Sequence, residues 1–208
     1  ATVTVTVAAV NDVPVAAAVS ASTNEDTAKT ITLSATDVEG SSLTYSIVAT
    51  NNGSVTVSGS TATYTPTADW NGTDTFTYKA NDGTADGNTA TVTVTVAAVN
   101  DVPVTAAVSA STNEDTAKTI TLSATDVEGS SLTYSIVSNP SNGSLGSVSG
   151  TSVVYTPTAN WNGTDTFTYK ANDGTADGNT ATVTVTVAAV NDVPVAAAVS
   201  ASTNEDTA

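Results

Sequence analysis

Twenty acidic side chains, with no histidine and no cysteine, leave this 208-residue chain one obvious use for its ionisable groups. Carboxylates, Asn amides and backbone carbonyls bind hard cations, whereas softer metals want imidazole or thiolate. The acids are not scattered. In a first repeat they are Asp12, Glu25, Asp26, Asp37, Glu39, Asp69, Asp74, Asp82 and Asp86. A second repeat has all but one, with Asn160 in place of Asp69. They fall at the ends of predicted strands or in the phrase VAAVNDVPV, which occurs at Val7–Val15, Val96–Val104 and Val187–Val195. Carboxylates gathered within about 8 Å repel one another with little relief from salt. A divalent ion turns that repulsion into cohesion. Ca²⁺, which takes six to eight oxygens at about 2.3–2.6 Å, suits such a set.

The elements that must position these acids read as strands. In KTITLSAT, residues Ile31, Leu33 and Ala35 share one face, as do Leu43, Tyr45 and Ile47 in LTYSIV. TDTFTYKA sets Phe76, Tyr78 and Ala80 against Thr75, Thr77 and Lys79, and ATVTVTV sets Val92, Val94 and Val96 against Thr91, Thr93 and Thr95. Period two with β-branched enrichment predicts half-buried antiparallel strands. Turn signals at Glu39-Gly40, Asn52-Gly53, Asn71-Gly72, Asp82-Gly83 and Asp86-Gly87 separate them. Further strands near Val15–Ser22, Ser54–Ser58 and Thr61–Thr65 bring the total to about seven per repeat. The predicted class is all-β, with tandem seven-stranded Greek-key sandwiches in a linear array. In a sandwich, alternate loops lie at opposite ends. The loops of Asp37 with Glu39 and of Asp82 then share the end next to the incoming linker. Glu25 and the Trp70-Asn71-Gly72 turn share the other. Pro14, Pro103 and Pro194 restrict Val13, Val102 and Val193 towards extended geometry.

Asn11 recurs as Asn100 and Asn191. Ala1–Ala28 returns letter for letter as Ala181–Ala208, and as Ala90–Ala117 with Thr105 where the others have Ala16 and Ala196. The repeats differ by a loop insertion, IVATNNGSVTVSG becoming IVSNPSNGSLGSVSG. The organisation expected is the last strand of a preceding repeat over 1–10, repeats over 11–99 and 100–190, and a linker with the first strand of a following repeat over 191–208. Both ends fall inside a unit, so the sequence reads as a window on a longer array, with one protein of two domains and ragged ends as the alternative.

A net charge of −16 with four Lys and no Arg repels a phosphate backbone, so no nucleic-acid partner is expected. No apolar run approaches the ~18 residues of a span, and the N-terminus lacks the pattern of a leader. No residue is marked as catalytic: nothing activates a Ser or Thr, and an enzyme is not expected. NDGTADGN lacks the helices and the closing Glu of an EF-hand, so Asp86 and Asp177 read as hairpin residues. Trp70 and Trp161 read as core or loop anchors before sugar platforms. The Thr rows read as strand formers before an ice-binding face, and Lys29 as an edge guard before an isopeptide partner. The N-x-Ser/Thr spacings at Asn52, Asn71, Asn142 and Asn162 arise readily by chance in so Asn- and Thr-rich a chain.

The segments NEDT, ATDVEG, YTPTADWNGTDTFTYKANDG and VTVTVAAVNDVPV together resemble the cadherin-like (immunoglobulin-like) tandem repeats of large bacterial secreted adhesins. The resemblance covers essentially the whole chain. It implies Ca²⁺ between successive domains. Carried onto this sequence, it implies Glu25, Asn71, Asn100, Asp101, Asp126, Glu128 and Asp173 at the central junction. It implies Asn11, Asp12, Asp37, Glu39 and Asp82 before it, and Glu114, Asn162, Asn191 and Asp192 after it. The linker holds one acid where classical cadherins hold several, and DWN or NWN replaces their DRE, so fewer ions per junction are expected. The expected function is a calcium-rigidified extracellular spacer in an adhesin or surface fibre. Its partners are then neighbouring repeats. A self-assembling filament of laterally associated copies and a carbohydrate-binding module remain open as alternatives at this point.

Overall fold

In the computed structural model, which describes residues 1–202 and 205, the chain divides into two compact units, Ala1–Asn100 and Asp101–Ala208. The first carries β1 (Val15–Ala16), β2 (Val19–Asn24), β3 (Lys29–Thr32), β4 (Ala35–Thr36), β5 (Thr44–Ala49), β6 (Gly53–Ser58), β7 (Thr61–Pro66), β8 (Gly72–Asn81) and β9 (Ala90–Ala97). One layer is the sheet β2-β9-β8-β5, and the other is formed by β3-β7-β6 with the pair β1-β4. The second unit repeats this order with β10 (Val104–Thr105), β11 (Val108–Asn113), β12 (Lys118–Thr121), β13 (Ala124–Thr125), β14 (Thr133–Ser138), β15 (Gly143–Leu145), β16 (Ser152–Pro157), β17 (Gly163–Asn172) and β18 (Ala181–Ala188). The all-β sandwich read from the alternation is therefore the fold.

Two details correct that reading. Seven strands become nine because the first and second strands of each unit are each broken in two. The pairing is also not wholly antiparallel: β2 runs parallel to β9, from Val19↔Val92 to Asn24↔Ala97. Both follow from the first strand changing sheets, since β1 pairs with β4 and β2 with β9. The Tyr78 hydroxyl occupies the break. It accepts from Ser34 N at 3.2 Å and lies 2.6 Å from Ala17 O, while Ala17 N donates to Ser34 O at 2.9 Å. Backbone groups released from the ladders thus find partners, as buried peptides must.

The inward faces of the strands form the core. In the first unit Ile31, Leu33, Tyr64, Phe76, Tyr78, Val92 and Val94 are buried, with Tyr45, Ile47 and Trp70 packed against them. Ile120, Leu122, Tyr155, Phe167, Tyr169, Val183 and Val185 do the same in the second. The two-residue insertion of the second repeat shortens β15 relative to β6 and closes with an isolated bridge, Ser149↔Ser152. Residues 1–10 share the sequence of β9 yet form no strand, and residues 191–202, which repeat residues 11–22, form none either. A strand needs ladder partners, which β8 and β2 supply to β9 and nothing supplies to these segments among the described residues. The end of the strand expected over 191–208 lies outside the described residues, save Glu205.

Candidate metal centre

At the incoming end of the first unit, three stretches converge. After β4, Asp37 opens a tight turn: its carbonyl accepts from Gly40 N at 3.3 Å and its Oδ1 from Ser41 N at 2.8 Å. Gly40 has a φ of 73°, a left-handed value that glycine tolerates without strain. Asp37 Oδ2 is buried and has no hydrogen-bond partner. Asp82 sits at the tip of the β8–β9 hairpin. Its Oδ1 accepts from Thr84 N at 2.6 Å and Ala85 N at 2.7 Å, and its Oδ2 from Asn11 Nδ2 at 2.8 Å. The Ala85 N–H foremost, then the Asn11 amide and the Thr84 N–H, hold its carboxyl below the ordinary Asp range. The linker closes the group, with Asp12 N donating to Glu39 Oε2 at 3.3 Å. The structure thus gathers Asn11, Asp12, Glu39 and Asp82 through direct contacts and places Asp37 on the loop that carries Glu39.

The second unit repeats this. Asp126 Oδ1 accepts from Ser130 N at 2.8 Å, and its Oδ2 is again buried without a partner. Asp173 Oδ1 accepts from Thr175 N and Ala176 N, both at 2.6 Å. Asp101 N lies 3.3 Å from Glu128 Oε2. Asn100 is the residue at which the first unit ends.

At the outgoing end of the first unit, Glu25 follows β2 and is only 3% exposed. Its N–H donates to Ala97 O at 2.9 Å, its Oε1 accepts from Val99 N, and Asn71 Nδ2 approaches its Oε2 at 3.5 Å. Glu114 is likewise buried in the second unit and accepts from Val190 N at 2.6 Å, next to Asn191. Asn162 stands exposed in the turn before β17, and Asn191 and Asp192 are exposed beyond β18, with Asn191 Nδ2 donating to Asp192 O at 3.2 Å.

Other acids accept hydrogen bonds from donors of their own unit. Asp74 is 2% exposed and accepts from Tyr64 OH at 2.8 Å, Asn52 N at 3.1 Å and Thr75 N at 2.7 Å. Burial first, and Asp74 second, push the Tyr64 hydroxyl far above its ordinary range. Asp165 repeats this with Tyr155, Ser141 and Asn142. Asp26 and Asp115 take left-handed backbone, φ 55° and 60°, and accept from the N–H of Asp69 and Asn160, each at 3.1 Å. That contact uses a main-chain donor, so the exchange of Asp69 for Asn160 preserves it. Asp86 pairs with Lys79 across the hairpin, which lowers its pKa, and bridges to Asn81. Trp70 lies against Gly72 and the core.

The sequence reading missed the residues that fasten the linker. Asn88 Oδ1 accepts from Ala16 N at 2.8 Å and its Nδ2 donates to Ala16 O at 3.1 Å. A Cβ on Gly87 would lie 2.0 Å from Pro14 O. Asn179 and Gly178 do the same for Thr105 and Pro103. The signal was present in ADGN, repeated identically at Ala85–Asn88 and Ala176–Asn179.

The donor set is oxygen alone, and Asp37 on the loop after β4 and Asp126 on the loop after β13 each hold a buried, unpartnered carboxylate oxygen. An unpaired buried anion is costly. These residues fit a hard divalent cation.

Comparisons with known proteins agree with this architecture. The model of the bacterial Ig domain matches residues 11–95 and 100–186. No curated protein sequence is similar to the chain. Domains EC1-2 of human protocadherin-24 superpose over 88% of this chain and 100% of their own length, with a TM-score of 0.52 and 16% identity. Domains EC1-2 of human mucin-like protocadherin do so over 85% and 98%, at 0.50 and 16%. Both likenesses are of fold. An endo-fucoidan hydrolase from glycoside hydrolase family 107 is 23% identical over 86% of this chain, at a TM-score of 0.38. The chain spans 29% of that enzyme.

Proposed function

Because the chain belongs to the bacterial Ig domain family, we propose that it is a calcium-stiffened spacer segment of a long extracellular repeat protein, in an adhesin or surface fibre. The single observation that carries this reading is the pair of buried, unpartnered oxygens, Asp37 Oδ2 and Asp126 Oδ2. Each occupies the same place in its unit, on a turn whose other carboxylate oxygen is already used by a backbone N–H. A carboxylate so arranged has one satisfied oxygen that fixes its orientation and one left for a cation.

Asn11, Asp12, Asp37, Glu39 and Asp82 are the ligands supplied at the first linker. Asn100, Asp101, Asp126, Glu128 and Asp173 are their counterparts at the second. Glu25 with Asn71, and Glu114 with Asn162, Asn191 and Asp192, serve the outgoing ends. Ca²⁺ supplies two positive charges and a flexible shell of six to eight oxygens. The protein supplies ligands from a linker and from rigid strand ends, so binding removes freedom from the linker. In a tandem array, stiffening each joint stiffens the whole, because such chains couple through nearest neighbours.

The test is metal content by elemental analysis after dialysis against trace calcium, joined to small-angle scattering with and without chelator. Bound calcium, and a distance distribution that broadens on its removal, are expected. An unchanged maximum dimension after chelation rejects the stiffening mechanism.

A further inference from the structure

We infer that Asn88 and Asn179 are positioning residues, which clamp each linker to the hairpin that bears a metal ligand and so hold the linker's own ligands ready for the cation. This rests on the calcium reading above. An Asn amide carries the same donor and acceptor as a peptide group. Asn88 uses both on Ala16, at 2.8 and 3.1 Å, and Asn179 uses both on Thr105, at 2.8 and 3.0 Å. Each therefore replaces a ladder partner for the short strand, β1 or β10, that leads out of the linker.

Gly87 and Gly178 bring the linker still closer. A Cβ at either would fall 2.0 or 2.1 Å from the carbonyl oxygen of Pro14 or Pro103, a separation no side chain can adopt. The glycine is required by that approach and not by its backbone angle. Gly87 N donates to Ala80 O at 2.8 Å and Gly178 N to Ala171 O at 2.8 Å, which anchors the clamp to β8 and β17. Lys79 and Asn81 hold Asp86, and Lys170 and Asn172 hold Asp177, which stiffens the same hairpins.

One hairpin thus carries a candidate ligand at its tip, Asp82, and the clamp at its exit, Asn88. The linker fastened there presents Asn11, whose amide already reaches Asp82 at 2.8 Å. Residues upstream of Pro14 form no ladder. Ordering them costs conformational entropy, and fixing their downstream end beforehand lowers what the cation must supply.

The experiment uses the full chain and a double substitution, Asn88→Ala with Asn179→Ala. Calcium itself is the probe, by calorimetric titration, with hydrogen exchange and thermal unfolding followed in chelator. The expected result is calcium affinity about tenfold weaker, in keeping with the loss of preorganisation. Exchange at the Ala16 and Thr105 amides should quicken while that of Phe76 and Val92 stays as in the native chain. Quicker exchange with undiminished affinity overturns the positioning role and leaves the calcium reading intact. Unchanged exchange overturns the clamp. A native chain that takes up no calcium overturns the calcium reading and the positioning role with it. Should the double variant fail to fold, Asn179→Ala alone keeps the first unit as an internal reference. Lower stability in chelator without weaker calcium binding would mark the asparagines as merely structural.

Discussion

Replacing Asp37 and Asp126 together by Asn should stabilise the protein in chelator and destabilise it in calcium. The structure sets the sign of each effect. In both residues Oδ1 accepts from a serine N–H at 2.8 Å, and the Asn carbonyl keeps that bond. The change falls on Oδ2, which is buried and unpartnered. Without metal, an unsatisfied buried group of this kind costs about 1–3 kcal/mol. An amide removes the charge from that buried position and recovers roughly 1 kcal/mol of that in each unit. For a domain of this size, about 1 kcal/mol moves Tm by about 4–8 °C, here upward. With calcium at roughly 100 times its Kd, each site contributes about 2.7 kcal/mol. A hundredfold loss of affinity removes roughly 2.3 kcal/mol of it, which outweighs the gain and lowers Tm. Calorimetry of native and variant chains, in chelator and in calcium, reads all four values. A shift of the same sign in both conditions would refute the assignment of Oδ2 as a cation ligand.

Tyr64→Phe and Tyr155→Phe should each cost about 1–3 kcal/mol, because Asp74 and Asp165 lose the hydroxyl donors of those tyrosines; urea midpoints measure this. Both hydroxyls titrate higher in the folded state than unfolded. Their contribution is therefore complete below about pH 10, the unfolded value, and is lost as pH rises towards the folded pKa, so the Phe variants should show a flatter alkaline limb. Asp82 shifts the other way. Its depressed folded pKa gives stability present above about pH 4 and lost as pH falls through the folded value, and Asp82→Asn should flatten that acid limb in melts without metal. Thr105→Val should destabilise the second unit by about 1 kcal/mol, since Thr105 Oγ1 accepts from Ala171 N at 3.2 Å inside the core. Thermal melts of that variant should leave the first unit, which has Ala16 at this place, unmoved.

Much of the fold was legible because alternation is a local property. Leu43, Tyr45 and Ile47 turn inward as their spacing requires, and Val92, Val94 and Val96 are buried while Thr91 and Thr95 are exposed. The breaks between β1 and β2 and between β3 and β4 were not legible. They depend on the Tyr78 hydroxyl, distant in sequence, which stands as donor against the carbonyls of Ala17 and Ser34. The parallel pairing of β2 with β9 has the same origin, since a strand that changes sheets meets a new neighbour. At the site, the spacing of acids gave the loops but not the clamp. Asn88 follows a Gly in a polar stretch and reads as an ordinary turn residue. Its role appears only when the linker, far away in the chain, is laid against it.

The same distance effect separates acids that sequence treats alike. Asp74 lies near the start of β8 and Asp37 just after β4, and both recur in the second repeat. Asp74 spends its oxygens on a tyrosine hydroxyl and two backbone N–H groups, so its charge is compensated within the fold. Asp37 has one oxygen compensated and one not. Asp86 is compensated by Lys79, and Asp26 accepts from a single main-chain N–H while exposed to water. The two buried acids of the first unit, Glu25 and Asp74, are served by donors of their own unit, whereas Oδ2 of the half-buried Asp37 retains an unmet demand. Fold stability alone would favour another side chain there, because a buried carboxylate oxygen without a donor is costly. Its appearance at the same turn in both repeats, beside a linker pinned by glycine and asparagine, is what the proposed cation site requires.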